Sequence, residues 1–111
     1  ERLEELKVLD LTQNKITELP VNVFEPLPKL EVLRMSGNGL TDLPAMVFQP
    51  LGKLKELKLT SNKLTDLPKK VFNGLQELRI LYLGHNHISK LPEKIFDHLK
   101  HLEHLELRGN Q

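Results

Sequence analysis

The sequence predicts an α/β-type repeat solenoid built on a parallel sheet of about five short strands. Three observations predict it. Asn recurs every 24 residues, at Asn14, Asn38, Asn62, Asn86 and Asn110. Phe24, Phe48, Phe72 and Phe96 keep the same step, as do the Leu-Pro pairs ending at Pro20, Pro44, Pro68 and Pro92. Ahead of each Asn, apolar residues fall two apart, as in Leu9-Asp10-Leu11, which is strand alternation and not helical spacing.

The frame divides the chain. Leu6, Leu9, Leu11, Asn14, Ile16, Leu19, Pro20, Phe24 and Leu27 set it. Leu30, Leu33, Met35, Asn38, Leu40, Leu43, Pro44, Phe48 and Leu51 repeat it. The expected units are 6–29, 30–53, 54–77 and 78–101, with a partial unit at 102–111. Residues 1–5 read as the tail of a preceding unit, because Leu3 is in register with Leu27, Leu51, Leu75 and Leu99. One unit alone cannot bury its leucines, so successive units must stack as coils.

Each element follows in order. The expected strands are Val8–Leu11, Val32–Met35, Glu56–Leu59, Ile80–Leu83 and His104–Leu107, lying about 4.8 Å apart. The Asn closes each strand and turns inward, since its amide can both donate to and accept from backbone groups of adjacent coils. The five Asn residues then form a structural ladder. Gly37, Gly84 and Gly109 lie next to these turns, where a positive φ is expected. Pro cannot donate to a sheet, so each Pro marks chain that has left it. The return segments are therefore expected to be irregular or short 3₁₀ turns, with the four Phe residues stacked as an apolar spine.

Composition narrows the function. A net charge of +1 over 111 residues sets up no general attraction to nucleic acid or acidic lipid. No apolar run approaches the ~18 residues of a membrane helix, so no membrane insertion is expected in this segment. The absence of Cys rules out thiol chemistry and disulfides within these residues. No phosphate loop, dinucleotide fingerprint or nucleophile elbow occurs, and the carboxylates form no paired pocket. No enzyme activity, cofactor or metal is expected. The five His residues read as solvated surface groups, with His98, His101 and His104 pointing in different directions. No Asn-x-Ser/Thr acceptor occurs, which leaves every face open to a partner.

The frame closely resembles the 24-residue typical leucine-rich repeat of extracellular proteins, from Leu3 to Asn110. Units such as Leu67-Pro68-Lys69-Lys70-Val71-Phe72-Asn73-Gly74-Leu75 resemble those of variable lymphocyte receptors, Toll-like receptor ectodomains and Slit-type guidance proteins. The resemblance implies a right-handed horseshoe and an extracellular recognition module, secreted or on a cell-surface ectodomain, as in immune or adhesion receptors. Those families close their ends with cysteine-rich caps. No cap is present, so the sequence reads as an excised stretch. Two alternatives stand beside this reading. One is a matrix or adhesion spacer with weak polyanion contact through Lys63, Lys69, Lys70 and Lys94. The other is a cytosolic scaffold.

The expected site lies on the concave sheet. With Leu9 and Leu11 inward, their neighbours face out. One column reads Val8, Val32, Glu56, Ile80 and His104, the other Asp10, Arg34, Lys58, Tyr82 and Glu106. Gln13, Ser61, His85 and Arg108 flank them. Packing does not require these residues, and their chemistry changes at nearly every step, as suits a protein ligand. A nucleic-acid reader would instead show a basic column with interleaved aromatics. Tyr82 and Arg34 are the types most often found as hot spots.

Overall fold

The computed structural model describes residues 3–110. The first two residues of the 1–5 tail and the last of the 102–111 unit lie outside the described residues. Five strands follow one another: β1 (Val8–Asp10), β2 (Val32–Arg34), β3 (Glu56–Lys58), β4 (Ile80–Tyr82) and β5 (His104–Glu106). They form one parallel sheet in sequence order. Its register is the sequence repeat itself, with Val8 opposite Val32, then Glu56, Ile80 and His104. The coils stack into a body of 41 × 31 × 22 Å.

Each strand ends one residue earlier than the alternation suggests, although cross-coil bonding continues. The Leu11 amide donates to the Arg34 carbonyl at 2.7 Å and the Gln13 amide to the Ser36 carbonyl at 2.8 Å. The chain then enters a left-handed conformation just before each Asn. Gln13, Gly37, Ser61, His85 and Gly109 have φ of 58°, 71°, 59°, 53° and 79°. The expectation for Gly84 is therefore wrong: its neighbour His85 takes the positive φ. Gly84 serves a close approach instead, since a Cβ there would lie 3.0 Å from the Arg108 carbonyl oxygen.

A matched pair of glycine substitutions tests this turn. At Gly37 an added Cβ would meet the Gln13 Cγ at 2.8 Å in a left-handed backbone. Gly37→Ala is expected to cost about 1–2 kcal/mol in chemical denaturation. Gly52→Ala, with nothing within 4 Å of the new Cβ, should stay within about 0.5 kcal/mol of the parent. Equal effects at the two sites would remove the turn from the explanation.

The return segments are chains of tight turns, as the prolines suggest. In the first coil the amides of Val23, Glu25, Leu27 and Leu30 donate to the carbonyls of Pro20, Asn22, Phe24 and Leu27 at 3.0–3.3 Å. Each acceptor lies three residues back, the 3₁₀ pattern. The same bonds recur 24 and 48 residues later. Leu3–Glu5 is a 3₁₀ turn in its own right.

Inside the coils, Leu33, Met35, Leu57, Leu59, Leu81 and Leu83 are fully buried under the sheet. Across the core from them stand the Phe rings. Phe24 and Phe48 are stacked at 5.9 Å, Phe48 and Phe72 at 6.5 Å, Phe72 and Phe96 at 6.0 Å. The first coil is less covered. Leu6, Leu9 and Leu11 are only partly buried, and Leu3 is 59% exposed.

The Asn ladder ties the coils at the strand ends. Asn62 donates its amide to Met35 O in the preceding coil and to Leu59 O in its own, both at 3.0 Å. Its Oδ1 accepts from the Leu40 amide at 3.1 Å. Asn38, Asn86 and Asn110 repeat this pattern. Asn14 departs from it. It is exposed and donates only to Thr12 O, at 3.2 Å. The expected five rungs are thus four rungs that bridge coils, because no strand precedes β1 among the described residues.

Candidate functional site

Both expected columns face outward from the sheet. Val8 and Asp10 are exposed at one edge and His104 at the other, while Val32, Arg34, Lys58, Ile80, Tyr82 and Glu106 are half-buried. The residues between them, Leu33, Leu57 and Leu81, are fully buried. The strand alternation alone produces this division. Each three-residue strand offers its first and third side chains to solvent and its second to the core.

What the alternation does not convey is how the outward side chains meet. They form a continuous polar row from β1 to β4. Arg34 Nε donates to Glu56 Oε2 at 2.8 Å. The other face of the guanidinium reaches Asp10 at 3.8 Å. Lys58 Nζ lies 3.7 Å from the same Glu56 oxygen and 5.1 Å from the centre of the Tyr82 ring. Glu56 is the hub. Its side chain is only 15% exposed and it serves two cations from the other column. Arg34 to Glu56 is a diagonal contact between β2 and β3, whereas Glu56 and Lys58 are same-face neighbours on β3 and Asp10 and Arg34 are directly paired.

Two ionisation equilibria register these contacts. The Asp10 carboxyl is held below its usual range, first by the Thr12 hydroxyl, then by the Thr12 amide, with smaller help from Arg34. The Arg34 guanidinium is pushed further toward its charged form by the hydrogen bond to Glu56 and by that carboxylate's charge. Exposed pairs of this kind contribute at most about 1 kcal/mol each to folding. Their main effect is to hold long side chains in one arrangement.

The apolar part of the face lies at β4, where Ile80 and Tyr82 stand beside the cationic end of the row. Beyond them, Glu106 pairs with Arg108 at 3.7 Å. Gln13, Ser61 and His85 occupy the left-handed turns at the rim. The sequence reading missed Glu56 as a hub and Thr12 as the partner of Asp10. Opposite charges 22 residues apart, two short of the repeat, were the available signal for the first.

The histidines divide between faces. His104 stands on β5 and His85 at the rim. His98 and His101 both border one open depression among the return segments, with Asn73, Gly74, Gln76 and Lys100. No group of three or more His, Asp or Glu placed to hold a metal ion occurs among the described residues. No helix among them is long and apolar enough to cross a membrane.

Comparison with known proteins gives the architecture a context. The family described as "Leucine rich repeat" matches residues 1–40 and 52–111. A second, "Leucine Rich repeats (2 copies)", matches residues 28–73. No curated protein matches the chain. Among solved structures, a chain of the Toll–Spatzle complex of Drosophila superposes with a TM-score of 0.88 at 30% identity. That complex is described as "a molecular hub in Drosophila development and innate immunity". The superposition covers 98% of this chain and 14% of that one.

Proposed function

The chain belongs to the leucine-rich repeat family, and from that premise we propose that it is a non-enzymatic recognition module docking a protein ligand on its concave sheet. One observation carries the reading. The sheet holds ten outward side chains that the core does not need, and they join an apolar pair, Ile80 and Tyr82, to a polar row running through Glu56. Tyr and Arg are residue types enriched at interface centres and among hot spots. The similarity to a chain from a complex of two proteins supports the same reading. The setting of this reading is extracellular, on a secreted or cell-surface receptor, as the resemblance of the 24-residue frame to typical extracellular repeats implies.

The test begins with secreted and cell-surface protein domains displayed on yeast and selected against the immobilised chain. Each binder is then titrated against variants. Tyr82→Ala and Arg34→Ala are each expected to weaken binding by more than about 1 kcal/mol, or roughly fivefold. Lys70→Ala on the convex side should change it less than about twofold. The mixed interface should survive about 0.5 M salt. Binders indifferent to both concave substitutions would overturn the assignment, as would a selection that yields none.

A further inference from the structure

We propose a second binding site on the opposite side of the coils: a convex cationic patch that takes a sulfated polysaccharide. It is independent of the concave reading. The patch consists of two adjoining open depressions between the third and fourth return segments. One is bordered by Lys69, Lys70, Glu93 and Lys94, the other by Gln76, Lys100 and His101. Asn73 and His98 border both, and so join them into one surface.

The repeat register makes the patch conspicuous. Lys69 and Lys70 occupy the positions that Val21 and Asn22 hold in the first coil, and Ala45 and Met46 in the second. His98 and Lys100 stand where the first coil has Pro26 and Pro28. In these columns the third coil gains Lys69 and Lys70 and the fourth gains Lys94, His98 and Lys100, with Glu93 beside Lys94. Packing does not demand the change, because these positions are exposed in both halves: Val21 is 66% and Met46 46% exposed.

Charge supports a ligand here. Four lysines border the depressions against one carboxylate, Glu93. Among the described residues, none of the four lies within ion-pair distance of a carboxylate. This contrasts with the concave face, where Arg34 and Lys58 are already matched.

The partner chemistry follows from the surroundings. Clustered lysines act as point charges toward sulfate or phosphate groups. The Asn73 and Gln76 amides add donors and acceptors suited to sugar hydroxyls. A flat anionic membrane would favour apolar side chains among the lysines. The exposed Val21 and Met46 lie outside the patch, bordering or flanking a depression between the first two coils, so the glycan is the better match.

The experiment titrates the intact chain with a heparin-derived decasaccharide by calorimetry at low salt. The double variant Lys70→Gln/Lys94→Gln should bind at least about tenfold more weakly, at a few-fold per lysine facing a polyanion. Both residues are exposed, and an unchanged melting temperature separates lost binding from lost fold. Lys58→Gln on the concave face should leave glycan binding as it was. The proposal is overturned by no binding at low salt, by binding indifferent to the lysine pair, or by loss through Lys58→Gln. It is also overturned if phosphatidylserine vesicles bind through the same lysines while the decasaccharide does not.

Discussion

Asn62→Ala is expected to lower the unfolding free energy by about 3 kcal/mol, whereas Asn14→Ala should cost about 0.5 kcal/mol or less. The two residues hold the same place in the repeat and undergo the same chemical change. They differ in what they leave behind. Removing the Asn62 side chain leaves the Leu40 amide without its acceptor and takes one of two Asn donors from each of the Met35 and Leu59 carbonyls, which keep Asn38 and Asn86 respectively. Asn62 is buried, so water does not readily replace it; the orphaned Leu40 amide costs about 1–3 kcal/mol, and the two weakened carbonyls add about 0.5–1 kcal/mol each. Asn14 is exposed and makes one long bond to Thr12. Urea denaturation of both variants measures the difference. Equal losses would mean that the repeated Asn matters through local turn preference and not through bridging coils.

Phe48→Ala should be at least as damaging, at about 3–5 kcal/mol. Phe48 is fully buried and has a ring stacked on each side, at 5.9 and 6.5 Å. Truncation removes both stacking contacts and leaves a cavity that the tight turns around it cannot close. For a chain of this size the melting temperature should fall by on the order of 15 °C. Phe96→Ala should cost clearly less, since that ring is half-buried and stacks on one described neighbour only. A Phe96 effect equal to that of Phe48 would show that burial within the spine does not govern its contribution.

The repeat made most of the fold legible. A 24-residue step in Asn, Phe and Leu-Pro predicts the sheet order and register, because each coil can bury its leucines only against the next. The strand ends were less legible. Leu11 and its mates continue the apolar alternation, and nothing in their chemistry signals that the regular ladder stops at Asp10. Backbone handedness was read one residue off at Gly84, since glycine there answers a close carbonyl approach and the left-handed turn falls on His85. At the candidate site, strand alternation placed every outward residue on the correct face. The Arg34–Glu56 contact was not foreseen because it runs diagonally between columns, where side-chain length decides contact.

The Phe spine also has a mechanical consequence. Neighbouring rings are 5.9–6.5 Å apart, while parallel strands are spaced by about 4.8 Å. Every coil is thus thicker at the back than at the front, like a stone cut for an arch. Stacking such wedges bends the row toward its thin edge, and the aromatic volume sets how tightly it bends. Trimming the back of one wedge would flatten the arc and splay the side chains on the inner surface, with no inner residue altered. The radius of the surface offered to a partner is therefore set by residues that the partner never touches.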